Sequence, residues 1–204
     1  MHNYLKELHY IVAITNVPSI LDKGILSKDK ASHISHVSVA NKEVQKRRDD
    51  KKVPKGSTLH SYVNLYINAR NPMLFFLMDH SEKDLCILKI DSNVIKIDGV
   101  VITDRNASSD YANFYSPSEC MDKLNFDMIE ARYWKHPEDL NEEWKHKSIM
   151  CAEILIPKFI PPEYILGAYV SCPESKDEML RLGFNKDITI NPDMFFNRKI
   201  RRSN

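Results

Sequence analysis

The sequence lacks every pattern that would place the protein in a membrane or outside the cell. No apolar run approaches the ~20 residues that cross a bilayer. Residues 1–12 do not have the basic, apolar and small-residue regions of a secretion signal. The four cysteines are widely spaced and form no CxxC pair. We therefore expect reduced thiols, a cytoplasmic location and no membrane contact.

Motifs for a metal or for a nucleotide phosphate are also missing. The eight histidines include no HExxH spacing, and we expect no metal. Neither GxGxxG nor GxxxxGK[ST] occurs, so neither a Rossmann fingerprint nor a P-loop is present. The 204 residues are 43% apolar and 28% charged, which is typical of a soluble globular protein. We expect a monomer with one domain, residues 1–204.

Charge is nearly balanced overall but unevenly distributed. The formal net charge is +1, which excludes a broadly basic coat for nucleic acid. Residues 42–55 carry seven basic and three acidic side chains, and a second basic cluster lies at 198–202. Residues 119–143 carry eight carboxylates against three basic residues. Charge runs are usually solvated faces, yet two basic segments on a nearly neutral protein can bind phosphates locally.

Strand patterns outnumber long helical patterns and do not alternate regularly with them. This favours an α+β fold with a mixed or antiparallel sheet over a doubly wound fold. Alternation and β-branched residues predict strands at 8–15, 60–68, 85–90, 94–97, 100–103, 150–157, 168–172 and 188–190. Capping and proline signals predict helices after Asn16, over 41–52, from Pro72, within 117–147 and at a Ser175/Glu178 capping box. Residues 28–40 and 104–116 are predicted to be loops.

One carboxylate stands among apolar neighbours in the strand predicted at 150–157. Alternation places Ala152, Ile154 and Ile156 on one face, and Glu153 on the other. Burying an ionised carboxylate is costly unless something pairs with it. Glu153 is therefore a solvent-facing residue, a structural partner of an arginine, or a functional group.

Four stretches, in their order and spacing, resemble one known family over nearly the whole chain. They are IVAITNVPSIL at 11–21 with Lys23-Gly24; QKRR at 45–48 with KVP at 52–54, TLH at 58–60 and YV at 62–63; NPML at 71–74 with ITDR at 102–105; and AEIL at 152–155. Together they resemble DarT, the DNA ADP-ribosyltransferase toxin of DarT–DarG toxin–antitoxin pairs.

The resemblance implies a fold, a reaction and a partner. The fold is the ADP-ribosyltransferase fold, in which two small sheets, flanked by helices, form a cleft that binds NAD in a bent conformation. The reaction moves ADP-ribose from NAD, which is consumed, to a base of single-stranded DNA, and nicotinamide leaves. The base is thymine in one branch of the family and guanine in another. The partner is an antitoxin that removes the mark, a DarG macrodomain or a related hydrolase.

The resemblance also implies roles for individual residues. Glu153 would be the catalytic carboxylate that stabilises the oxocarbenium-like ribose, and Arg48 would be the second catalytic residue and a donor contact. We expect Glu153→Ala to abolish transfer without disturbing the fold. The other donor-binding candidates are His9, Tyr10, Val12, Asn16, Leu21, Tyr62 and Tyr66. Candidates for DNA contact are Arg47, Lys51, His60, Asp104, Arg105 and Tyr111.

Two departures from the family pattern leave alternatives open. Family members often have a histidine in the first strand, and that donor-binding role falls here to either His9 or Tyr10. Residues 64–68 read NLYIN where the thymine branch tends to have PFYF, which favours guanine weakly. An ADP-ribosyltransferase that acts on RNA or protein, and a non-catalytic nucleic-acid-binding module, are the competing interpretations.

Overall fold

The computed structural model describes residues 5–81, 84–120 and 122–196. The basic cluster at 198–202 therefore lies outside the described residues. Within them, no helix is long and apolar enough to cross a membrane. Cys86, Cys120, Cys151 and Cys172 are all free thiols.

In the described part of the chain, ten strands form two sheets of unequal size. The strands are β1 (Glu7–Ala13), β2 (Ile25–Leu26), β3 (Tyr62–Tyr66), β4 (Leu85–Asp91), β5 (Val101–Thr103), β6 (Phe114–Tyr115), β7 (Glu153–Pro157), β8 (Phe159–Ile160), β9 (Ile165–Val170) and β10 (Asp187–Ile190). The large sheet has the order β10-β9-β4-β1-β3-β7-β5-β6, and β2 pairs with β8 in the small one. Only β9 and β10 run parallel; every other described pair is antiparallel. The predicted α+β class with two mixed or antiparallel sheets is confirmed.

Helices cover both faces of the large sheet. They are α1 (Val17–Lys23), α2 (Lys28–Ala31), α3 (Lys42–Asp49), α4 (Pro72–Ser81), α5 (Phe126–Ile129), α6 (Leu140–Met150) and α7 (Pro173–Arg181). One face packs against apolar residues of α1, α5, α6 and α7, and the other against α4 and the chain near Phe195. The period of two along residues 152–156 sends Ala152, Ile154 and Ile156 into the first core, as the sequence predicted.

Several local predictions are wrong. Residues 94–97 are not a strand, because Asp91 accepts a hydrogen bond from the Asn93 backbone N–H and starts a 3-10 helix over Ser92–Lys96. The predicted capping box is also absent, since the last long helix already begins at Pro173 and Ser175 is buried inside it. The loop predicted at 28–40 contains the short helix α2, and the loop predicted at 104–116 contains strand β6, which pairs with β5.

Candidate active site

A cleft of about 910 Å³ opens beside the middle of the large sheet. Its walls come from strands β1 and β3, helix α3, a segment over residues 31–41, the loop 106–111 and helix α6. The volume lies in the range of sites that enclose small molecules. Nine residues predicted from the sequence line it: Tyr10, Val12, Asn16, Arg47, Arg48, His60, Tyr62, Tyr66 and Tyr111.

Arg48 lines the floor of this cleft and forms an ion pair with Glu153, which lies behind it. Glu153 is 0% exposed and Arg48 is 5% exposed. Arg48 Nη1 donates to both carboxylate oxygens of Glu153 at 3.0 Å, and the Ala107 backbone N–H donates to Oε1 at 3.1 Å. The carboxylate is thus buried and fully hydrogen-bonded, as a buried charge must be.

Neighbouring strands fix the backbone that carries this carboxylate. Glu153 starts β7, directly opposite Tyr66 of β3, and β5 pairs with the other edge of β7. The Glu153 N–H donates to Thr103 Oγ1 at 3.2 Å, and that hydroxyl donates to the Arg105 carbonyl at 2.6 Å. The position of the carboxylate is therefore set by three strands and the loop that follows β5.

The other titratable groups around the ion pair are neutral acids. Burial raises the pKa of Tyr66 well above its usual value, and the Glu153 carboxylate raises it further. Burial also raises the pKa of Tyr10 and that of the Cys151 thiol to about 12 each. These groups stay protonated near neutral pH, so the charge on the cleft floor belongs to Arg48 and Glu153.

Arg48 separates Glu153 from the cleft. Arg48 lines the cleft, whereas Glu153 lies behind it and does not. On helix α3, Arg48 turns inward while Arg47 stays exposed at the cleft wall. The structure therefore brings Arg48 rather than Arg47 to the carboxylate, at a sequence distance of 105 residues.

Tyr10, and not His9, faces the cleft. Nδ1 of His9 hydrogen-bonds the Ile67 carbonyl at 3.1 Å, and Nε2 lies 3.3 Å from Glu7 Oε1. His9 thus bridges strand β1 and the end of β3 outside the cleft lining. Leu21 also lies outside it, on α1 against the core.

Asn16 ties one wall of the cleft in place. Its Nδ2 donates to the Val37 carbonyl at 2.8 Å, and the Val37 N–H donates to Oδ1 at 2.9 Å. The side chain makes no capping hydrogen bond to α1, so the cap predicted from the sequence is wrong. We call residues 32–41, most of which line the cleft, the strap.

Comparisons with known proteins identify the family to which this chain belongs. The family described as "DarT: ssDNA thymidine ADP-ribosyltransferase, DarT" matches residues 9–196. The chain belongs to the DarT family. The family predicted from the sequence is confirmed.

The relatives include proteins of known structure. A DNA ADP-ribosyl transferase–DNA ADP-ribosyl glycohydrolase fusion protein of Thermosipho africanus is 34% identical over 96% of this chain and 51% of its own length. The chain thus spans about half of that relative. The structure of Thermosipho africanus DarTG in complex with ADP-ribose has a TM-score of 0.83 at 31% identity, over 94% of this chain and 51% of that one. Thermus sp. 2.9 DarT in complex with ADP-ribosylated ssDNA has a TM-score of 0.81 at 25% identity, over 93% and 95%.

The residues of this DarT chain that were predicted to contact DNA divide into two groups. His60 lines the cleft, and its Nε2 lies 2.7 Å from Asp49 Oδ1 and 3.0 Å from Lys28 Nζ. Arg47 and Tyr111 also line the cleft.

The second group lies outside the cleft lining and shapes the loop that follows β5. Asp104 accepts from the Asn113 N–H at 3.0 Å and from Asn113 Nδ2 at 2.9 Å, and it pairs with Arg105 at 3.3 Å. Lys51 Nζ donates to the Ser109 carbonyl. Asp104, Arg105 and Lys51 therefore hold the loop in position.

Sequence reasoning missed Trp144, Phe76 and Lys147, which all line the cleft. Trp144 is 63% exposed on α6 and Phe76 is 50% exposed on α4. An aromatic residue inside a predicted helix is expected to face the core, and sequence offered no signal that these two face the cleft. Their positions depend on how α4 and α6 pack around the sheet.

Proposed function

We propose that this chain transfers ADP-ribose from NAD to a nucleobase of single-stranded DNA and releases nicotinamide. The observation that carries the proposal is the buried Arg48–Glu153 pair at the floor of the cleft, in a chain of the DarT family. The Thermus sp. relative has been solved in complex with NAD+ and with ADP-ribosylated ssDNA.

The cleft suits NAD as the donor. Tyr10, Tyr62 and Tyr66 supply flat apolar surfaces for rings, and the guanidinium of Arg48 can bind a pyrophosphate through two parallel hydrogen bonds. The cleft volume of about 910 Å³ is large enough for a ligand of this size.

Glu153 supplies the electrostatic part of the reaction. When the bond between the ribose and nicotinamide breaks, positive charge spreads over the ribose, and a fixed carboxylate stabilises it. A ring nitrogen or an amine of the base then forms the new bond to the ribose carbon, and that nitrogen loses a proton. Because Glu153 is fully buried behind Arg48, the ion pair has to open before the carboxylate reaches the ribose. We propose that Arg48 opens it by turning toward the donor's phosphates.

We propose single-stranded rather than duplex DNA as the acceptor. A base in a duplex has to be unpaired and unstacked, at a cost of a few kcal/mol that an already single strand does not incur. The net charge of +1 does not supply the broad positive surface that would offset this cost.

Two indications of the acceptor base disagree. The family is described as a thymidine ADP-ribosyltransferase, whereas the sequence of residues 64–68 favours guanine weakly. Of the two asparagines behind that expectation, Asn64 lines the cleft. Asn68 lies outside the cleft lining, donating to the Ile129 carbonyl at 2.8 Å and accepting from the Arg70 N–H at 2.8 Å. Guanine thus depends on Asn64 alone and stays a prediction.

One experiment tests the proposal and the base together. The protein is incubated with NAD and with oligonucleotides that contain only guanine or only thymine as a reactive base, and the digested products are weighed by mass spectrometry. Transfer to a single-stranded oligonucleotide supports the proposal, and the strand that gains mass identifies the base. Equal transfer to a fully paired duplex would contradict the preference for single strands.

Two other interpretations have distinct outcomes in the same assay. Labelled NAD with separate pools of RNA and protein detects a transferase with another acceptor. A non-catalytic nucleic-acid-binding module releases no nicotinamide with any acceptor.

We further propose a hydrolase that removes the modification as the antitoxin partner. The name of the Thermosipho africanus relative joins a DNA ADP-ribosyl transferase to a DNA ADP-ribosyl glycohydrolase, which supports this pairing of activities. We propose that the chain acts as a monomer in the cytoplasm, where NAD and DNA are both available. Co-expression with such a glycohydrolase should restore growth to cells that produce this chain.

A further inference from the structure

Trp144 presents an unusually exposed indole to the cleft. It is 63% exposed and lines the cleft together with Tyr111, which is 80% exposed. The other tryptophan, Trp134, is only 8% exposed and packs edge-on against Phe75 and Phe196 at centroid distances of 5.5 and 5.9 Å. Large aromatic side chains are seldom left in water at a concave surface unless a ligand covers them.

The protein fixes these two aromatic residues on connected elements. Trp144 lies on α6, and the loop that carries Tyr111 is attached to the same helix, because the Asn106 N–H donates to the Ser148 carbonyl at 2.8 Å. Ser148 is one helical turn beyond Trp144. The contact from Lys51 to the Ser109 carbonyl holds the loop from its other side.

Positive charge accompanies the aromatic surface. Lys147 follows Trp144 by three residues, so both lie on one face of α6, and Lys147 also lines the cleft. Its Nζ pairs with Glu143 Oε1 at 2.6 Å. The exposed Arg47 stands on the α3 wall of the cleft. Aromatic rings beside cations are the usual means by which proteins bind a single strand without reading its sequence.

We propose that Trp144 and Tyr111 form a stacking site for an unpaired base next to the one that is modified. This inference rests on the proposed function and assigns a subsite within the DNA. The shared chemistry is a flat heteroaromatic ring, which the adenine or nicotinamide of NAD also offers. The exposure of Trp144 and Tyr111 places them at the open side of the cleft, away from the buried Glu153 where the reacting ribose must lie, and this favours the DNA base.

The first test measures DNA binding without NAD, so that no transfer occurs. Fluorescence anisotropy with a labelled single-stranded oligonucleotide should show that Trp144→Ala raises Kd by about 5- to 100-fold, the loss expected for one stacked base. Trp144→Phe should retain most of the affinity. Tyr133→Ala is the matched control, because Tyr133 is 68% exposed but does not line the cleft; its Kd should equal that of the wild type.

An oligonucleotide series locates the stacked base. Replacing one nucleotide beside the acceptor with an abasic residue should weaken binding to the wild type but not to Trp144→Ala, because the variant has already lost that contact. In steady-state kinetics Trp144→Ala should raise the KM for DNA and leave the KM for NAD unchanged. Additive losses at every abasic position would overturn the inference.

Binding of an NAD analogue tests whether the ring that stacks on Trp144 comes from DNA or from NAD. Binding of carba-NAD+, an analogue that does not react, should be the same for wild type and Trp144→Ala. A loss of carba-NAD+ binding with unchanged DNA binding would overturn the inference and leave the proposed function standing. Absence of transfer to any DNA by the wild type would instead defeat the proposed function, while the anisotropy data would still decide whether Trp144 binds a base.

Discussion

Two neighbouring residues of helix α3 enter two very different parts of the molecule. Arg48 points into the protein and pairs with Glu153, which is 0% exposed. We call the buried group formed by Arg48, Glu153, Thr103 and Ala107 the corner. Asp49 instead points to solvent and contacts His60 and Lys28. We call the more exposed surface formed by Asp49, Lys28, Asn16 and Trp144, at and beside the cleft wall, the mouth. The corner and the mouth share one helix, but they differ in burial.

Burial decides what each ion pair contributes. Removing one partner of a buried pair leaves an uncompensated charge and costs about 3–5 kcal/mol, whereas exposed pairs contribute about 0–1 kcal/mol. Substitutions in the corner should therefore change both the fold and the reaction. Substitutions in the mouth should change ligand binding and leave the fold nearly as it is.

Loss of the Glu153 carboxylate should have the largest effect on activity. We expect Glu153→Gln to reduce transfer by about 10²–10³-fold or more, because a preorganised charge opposite the ribose is lost. The amide keeps the volume and can still accept the hydrogen bond from the Ala107 N–H, so the free energy of unfolding should change less than in Glu153→Ala. Single-turnover transfer assays and thermal melts on both variants measure the two effects.

The structure changes what the alanine variant can show. From the sequence we expected Glu153→Ala to leave the fold intact, but Arg48 would then be buried without a partner. A lower melting temperature in that variant is now expected for a catalytic Glu153 as well as for a structural one. Full activity in Glu153→Gln would remove Glu153 from the reaction.

Arg48→Ala should come next, with an effect on both turnover and stability. Arg47→Ala and Lys51→Ala are comparison variants from the same basic segment, because neither side chain is hydrogen-bonded to Glu153. We expect a large loss of kcat and a lower melting temperature for Arg48→Ala, and a smaller loss of turnover for the two comparison variants. Similar kinetics in all three variants would mean that Arg48 has no part in the reaction.

The corner could be predicted from the sequence only in part. The period of two around Glu153 gave its face in the strand, and the family resemblance gave Arg48 its role. That these two side chains meet could not be derived, because 105 residues separate them and the contact depends on how α3 packs against the sheet. The Thr103 hydroxyl beneath Glu153 was missed for the same reason.

The mouth was predicted less well. Exposed positions leave little trace in hydrophobic periodicity, so Trp144 looked like any aromatic residue of a helix. Asn16 had the sequence signature of a helix cap, but its amide instead bonds the backbone of Val37 in the strap. A residue with both a donor and an acceptor can satisfy either arrangement, and only the tertiary fold decides between them.

Asn16→Ala should give a moderate effect that belongs to the mouth. Loss of two hydrogen bonds worth about 0.5–1.5 kcal/mol each should loosen the strap and raise the KM for NAD by up to about 5- to 150-fold. The melting temperature should change little, because an exposed segment such as the strap can open locally without unfolding the core. Asn16→Asp keeps the acceptor and loses the donor, so its KM should fall between those of wild type and Asn16→Ala. Limited proteolysis of residues 32–41 should follow the same order.

The smallest expected effect is a pH dependence of stability at the mouth. The hydrogen bond from His60, followed by that from Lys28, lowers the pKa of Asp49 below its usual value. A carboxyl whose pKa is lower in the folded state stabilises the fold above its unfolded pKa of about 3.9, and this contribution is lost as the pH falls through the folded pKa. Asp49→Asn should therefore melt slightly below the wild type at pH 7, and the difference should vanish in strong acid. Because Asp49 is exposed, added salt should also reduce the difference in melting temperature at pH 7.

The same salt series on Glu153→Gln is the comparison. Its larger difference in melting temperature from the wild type should persist in high salt, since solvent ions do not reach the buried pair. If salt abolished both differences alike, the contrast in burial between the corner and the mouth would not explain their energetics.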